Sequence, residues 1–193
     1  FNKKFGDPKA KINYSGASAD CAICKSDPVL TSLKNKIGVD YNKVSLKGGK
    51  TIQIHLGKIP ELTDFDHWTS TLKPSPTRGE HGITFKEQVK TLRSKSFWNK
   101  YLKKGDLLVF QEADAKTYVM FNMDDVINYI VSKCDWRLLE TGRLKGDFDG
   151  RQYLTYEYRS RKKSFVIGAH GGQKGLDFIN HLKTKLKHHI EVR

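Results

Sequence analysis

A chain of 193 residues, 37% of them hydrophobic and 11% aromatic, is long and apolar enough to fold around a core of its own, which excludes a disordered polymer. Its 35 Lys and Arg against 21 Asp and Glu leave a formal charge of +14, more than solubility asks for. The natural partner is a polyanion, with nucleic acid ahead of a membrane surface because the basic residues do not collect on one amphipathic helix.

No run of about eighteen apolar residues exists, which excludes a transmembrane helix. Three cysteines, an odd number, argue against a disulfide framework and for a reducing, cytoplasmic compartment. The opening FNKKFGDPKAK carries neither Met nor an apolar leader, and an element upstream of Phe1 stays open.

In chain order, the small-residue run in YSGASADCAICK (14–25) leads to Asp20 at the mouth of a short apolar strand over 19–24. Cys21 and Cys24 form a single CxxC. No second ligand pair stands at metal spacing, so they read as small buried residues of that strand rather than zinc ligands. Strands are predicted over 43–47 and 51–56, joined as a tight hairpin by Gly48-Gly49. Alternation puts Val44 and Leu46 on one side of the first and Ser45 and Lys47 on the other. In the second strand, Ile52, Ile54 and Leu56 oppose Gln53 and His55. The hairpin would therefore have one apolar face and one polar face carrying Ser45, Lys47, Gln53 and His55, with Asp20 beside them.

A polar, proline-bearing loop follows over 66–82, then a helix over 84–103 with Thr84 as N-cap, Glu87 at capping-box spacing and Gly105 beyond its end. Strands at 106–111 and 117–122 flank an acidic turn, and a helix covers 123–134. A strand at 136–145 precedes a hairpin of 152–159 with 164–169, whose basic tip runs from Arg159 to Lys163. The last element is a helix over 174–190 with a basic outer face. The class is mixed α/β, a single domain over 1–193 with a central mixed sheet flanked by helices and a strand-rich C-terminal half.

A carboxylate is a hard oxygen ligand suited to Mg²⁺, and a lysine beside it can orient an attacking water and neutralise charge on a pentacovalent phosphorus. The residues GASADCAIC and VSLKGG resemble the core of the PD-(D/E)XK nuclease superfamily, which includes restriction and repair endonucleases. That family sets its Asp at the start of one strand and an acid-x-Lys pair on the next. The resemblance implies that Asp20 is the first acid and Lys47 the lysine, within a restriction-endonuclease-like core over 14–62. Ser45 stands where the second acid is expected, and Ala19 where a proline is. Restriction enzymes of the Ser-x-Lys variant draw the missing acid from a glutamate about fourteen residues past the lysine, which in this chain is Glu61.

The resemblance thus implies a Mg²⁺-dependent DNA endonuclease of restriction type acting on double-stranded DNA. Asp20, Ser45, Lys47 and Gln53 form its catalytic set, Asp20 and Glu61 hold the metal, and a homodimer stays open. Phosphate contacts are expected from the 105–193 portion, through Arg159, Arg161, Lys162 and Lys163 of the hairpin and Lys183, Lys185 and Lys187 of the last helix. Asp149 and Glu157, with Arg159 in the lysine position, imitate the same pattern, but arginine does not deprotonate water at ordinary pH. GAHGGQKG (168–175) lacks P-loop spacing and reads as a flexible turn. Trp68, Trp98 and Trp136 read as core. The competing class is a non-catalytic nucleic-acid-binding protein using the basic hairpin and last helix.

Overall fold

The computed structural model describes residues 21–22, 43–48, 52–56, 85–101, 107–112, 116–139, 144–159, 164–169 and 174–192. They form ten strands and four helices: β1 (Cys21–Ala22), β2 (Lys43–Gly48), β3 (Ile52–Leu56), α1 (Phe85–Leu92), α2 (Lys95–Tyr101), β4 (Leu107–Gln111), β5 (Tyr118–Asn122), α3 (Met123–Lys133), β6 (Asp135–Leu138), β7 (Leu144–Phe148), β8 (Arg151–Arg159), β9 (Ser164–Ala169), α4 (Lys174–Lys185) and β10 (His189–Val192). The mixed α/β class holds, with the described strands divided between two sheets. The first has the order β1-β2-β4-β5-β10 and the second β3-β9-β8-β7-β6.

The first sheet is mixed. β1 runs antiparallel to β2, and β2 runs parallel to β4 in a register that sets Ser45 beside Leu108 and Lys47 beside Phe110. A parallel neighbour needs a long crossover, and α1 and α2 lie within it. β4 and β5 then pair antiparallel, Leu107 with Asn122 through Gln111 with Tyr118. Both strands are near-continuous apolar runs, LLVF and YVMF, and both of their faces are buried.

The second sheet is antiparallel throughout. Its register makes one row of Ile54, Ile167, Tyr156, Leu144 and Leu138, and the next row of Gln53, Gly168, Thr155, Lys145 and Arg137. Of the residues whose burial is described, Ile167, Tyr156 and Leu144 of the first row are buried, while Arg137 of the second is exposed. One face is therefore turned to the core.

The chain departs from the sequence expectations at four places. Gly48-Gly49 does not close a hairpin, because β2 pairs with β1 and β4 while β3 pairs with β9 in the other sheet. The helix expected over 84–103 breaks at Arg93-Ser94. The Trp98 indole donates to the Leu92 carbonyl at 2.6 Å and occupies an acceptor that a continuous helix would use, and Ser94 N turns back to Thr91 O at 3.0 Å. Beyond the break, Phe97 and Trp98 of α2 are both buried in the core.

The strand expected over 136–145 is instead a pair, β6 and β7, matched Asp135 with Asp147 through Leu138 with Leu144. The chain's end is not helical to 190. α4 stops at Lys185, and His189–Val192 pairs antiparallel with β5 along His189–Phe121 to Val192–Tyr118. The β-branched Ile190 and Val192 favour that edge over another helical turn.

Other elements follow the pattern closely. Asn122 caps α3, its Oδ1 accepting from Asp124 N at 2.8 Å, and Asp124, Asp125 and Lys133 lie at the ends the helix dipole favours. Its buried side is Met123, Val126, Ile127 and Ile130. Trp98 and Trp136 are core residues, as expected, whereas Trp68 lies outside the described residues.

Candidate functional site

The β1–β2 ladder sets Cys21 opposite Val44 and Ala22 opposite Lys43. The strand that follows Asp20 is thus the direct neighbour of the strand carrying Ser45 and Lys47, and it enters the ladder next to Ser45 in sequence. Asp20 itself lies outside the described residues, as do Glu61, Arg161, Lys162 and Lys163.

β1 pairs with β2 at Lys43 and Val44, and β4 pairs with it from Val44 to Gly48. In register, Ser45 and Lys47 fall in the rows of Leu108 and Phe121, and of Phe110 and Val119. Those four residues belong to the main hydrophobic core, each 2% exposed or less. The two polar positions of β2 therefore share a sheet face with core residues, whereas Val44 and Leu46 share the opposite face with Leu107 and Val109, which are also buried.

This revises the polar cluster expected from a hairpin. Ser45 and Lys47 sit in the first sheet, Gln53 and His55 in the second. Gln53 takes a place in the polar row with Gly168, Thr155, Lys145 and Arg137. The expected phosphate contacts separate as well. Arg159 is the last β8 position, paired with Ser164 at the hairpin's tip. Lys183 is engaged by Glu191 at 2.6 Å and Lys185 by Asp149 at 2.9 Å, whereas Lys187 is exposed after the helix.

A second constellation gathers where α3, α4 and the β7–β8 hairpin meet. Asp149 and Gly150 both take positive φ, 50° and 76°, so they form the kind of two-residue turn that suits a tight hairpin. A register shift beside Gly146 and Asp147 lets neighbouring Tyr153 and Leu154 both be buried. Tyr153 thereby stacks on His181, with ring centroids 4.5 Å apart, and Phe148 lies 5.5 Å from the same imidazole. The Tyr129 hydroxyl shares a 2.8 Å hydrogen bond with His181 Nε2. At the rim, Arg151 pairs with Asp177 at 2.8 Å and lies over the Tyr153 ring.

Burial holds His181 below the ordinary histidine value. Lys185 and Arg151 push the same way and Asp149 opposes them. Burial, then Asp149, pushes the Tyr129 phenol up to about 12, which keeps it a neutral hydrogen-bonding group rather than a nucleophile. Asp149 is held low by its hydrogen bond from Lys185. Asp149 is thus the first residue of a turn, and its carboxylate is engaged by Lys185. The Asp149-Gly150 dipeptide carried that signal in the sequence.

Cys134 is buried, and desolvation raises its thiol well above the ordinary range, so it is an inert core residue. Among the described residues no group of three His, Cys, Asp or Glu could hold a metal. The oxygen donors that would suit Mg²⁺, Asp20 and Glu61, lie outside them. Among the described residues no helix is long and apolar enough to cross a membrane. Comparison of the chain with family models, with curated proteins and with solved structures finds no match.

Proposed function

We propose that this chain is a metal-dependent DNA endonuclease of restriction type, acting in the cytoplasm, with its cleavage centre at the β1–β2 ladder. One observation carries the reading: the Ser-x-Lys pair stands on β2, next to the core positions Leu108 and Phe110 of β4, and β2 pairs with the strand that follows Asp20. A lysine beside such positions is well placed to serve an anionic partner, and a phosphodiester with its metal is one.

In this reading Asp20, which immediately precedes β1 in sequence, offers a carboxylate. Lys47 orients the attacking water and balances the charge that grows on the phosphoryl oxygens. Ser45 leaves room for the acid to come from elsewhere, and Glu61 is the candidate. Mg²⁺, bound through Asp20 and Glu61, would supply Lewis-acid polarisation of the phosphoryl group. The formal charge of +14 supplies sequence-independent attraction to the DNA backbone.

The test is incubation of supercoiled plasmid with the protein in Mg²⁺ and, separately, in EDTA. Nicked or linear product in Mg²⁺ alone, lost on Asp20→Ala by about a hundredfold or more, is expected. A mobility shift without any cleavage would reject the nuclease and leave the non-catalytic nucleic-acid-binding module.

A further inference from the structure

The C-terminal segment 174–192 straps the two sheets together. α4 packs on β8 and β9 of the second sheet, and β10, three residues after α4, completes the described first sheet against β5. Lys183 of α4 reaches Glu191 of β10 at 2.6 Å, so the helix and the strand are bound to each other as well.

We propose that His181 is a pH-sensitive latch on this strap: neutral, it holds α4 in an aromatic niche, and protonated, it loosens α4 and with it β10. The niche is made by Tyr129 from α3, Phe148 from β7, Tyr153 from β8 and Phe178 from α4, and the imidazole is 9% exposed. His181 is the one residue of ionisable type among the described buried polar residues, the others being Thr117 and Asn122.

The charged groups around the niche do not welcome a second positive charge. Asp149 at the β7–β8 turn favours it, but its carboxylate is taken by Lys185 at 2.9 Å and also faces Lys133 of α3. Arg151 of β8 opposes it and is held in place by Asp177 of α4. Tyr129 offers a hydroxyl to Nε2, which satisfies one ring nitrogen without supplying negative charge. The proton's cost therefore falls on the docking of α4. His188 and His189 follow on the strap, with His189 facing Glu191 and Phe121, so the decisive substitution is at 181.

The sign follows from burial. Folding lowers the His181 pKa below the ordinary 6.5, so the opened segment binds the proton first as pH falls. Docking is at full strength above about pH 6.5 and weakens as pH falls below it toward the folded value.

Hydrogen exchange on the full chain at pH 7.5 and 5.0, corrected for intrinsic rates, tests this. Protection of residues 174–192 should fall by about tenfold relative to β4 and β5, and His181→Gln should abolish the difference. An unchanged α4, an equal fall in β4 and β5, or the same fall in His181→Gln would overturn the latch. Should His181→Gln fail to fold, the Cε1–H resonance of His181 in the unsubstituted chain decides. Its midpoint must lie below 6.5, with the loss of α4 protection falling between about 6.5 and that midpoint, and a midpoint at or above 6.5 overturns the proposal.

Discussion

The two sheets treat a lysine differently. In the second sheet Lys145 stands in a polar row between Arg137 and Thr155, while the flanking Leu144 and Gly146 are buried, so alternation alone accounts for it. In the first sheet Lys47 stands in a row with the core residues Phe110 and Val119, which ends at Glu191 of β10. The same residue type continues a polar row in one sheet and interrupts the local apolar pattern beside core residues in the other. Violations of local pattern concentrate where function demands them, which is why the contrast points to β2 and away from the second sheet.

The largest expected effect lies at the acid that Ser45 lacks. Glu61→Ala should lower plasmid cleavage by about a hundredfold or more, and Ser45→Glu added to it should restore part of the loss. Cleavage by Glu61→Ala at the unsubstituted rate would assign the second carboxylate elsewhere and blunt the contrast between the sheets.

Packing comes next, and urea denaturation reads it. Trp98 is fully buried and bridges the α1–α2 break through its bond to Leu92 O, so Trp98→Ala should cost about 3–5 kcal/mol. A cost under about 1 kcal/mol would mean the break does not depend on that side chain. Gly146 has no such freedom to grow: an added Cβ would meet Cys134 Sγ at 2.7 Å and both Leu154 Cβ and Trp136 Cζ3 at 3.1 Å. Gly146→Ala should therefore destabilise by about 1–3 kcal/mol, and a neutral result would show that the β6–β7 pair yields easily.

The smallest effects concern DNA binding and its salt dependence. Arg161, Lys162 and Lys163 replaced together by alanine should reduce the slope of log affinity against log salt by about 2–3. Lys183→Ala should change it by less than about one, because Lys183 is already engaged by Glu191. Equal changes from the two variants would place the phosphate track along α4 as much as along the hairpin tip.

Much of the fold was legible because alternation and capping are local. The β8–β9 hairpin and the α3 helix both follow from residues close together in sequence. Sheet membership is not local. A period of two says which face a residue takes but not which strand lies beside it, and so Gly48-Gly49 resembles a hairpin turn in sequence although β4 and β9 are the partners. The α1–α2 break was hidden because it depends on the Trp98 indole capturing a carbonyl, and β10 because an available edge on β5 outweighs a weak helical end. At the candidate site, the Ser45-x-Lys47 pair was legible as a motif. Its placement beside the core positions Leu108 and Phe110, which gives the motif its weight, required the β4 partner.

The most direct measurement compares Lys47→Met with Lys145→Met. Both proteins are first verified as folded by circular dichroism and then assayed for Mg²⁺-dependent cleavage of supercoiled plasmid. The account predicts that Lys47→Met folds at least as stably as the unsubstituted chain and loses about a hundredfold or more of its cleavage rate, while Lys145→Met stays within about twofold. Lys47→Met cleaving as fast as Lys145→Met would contradict it.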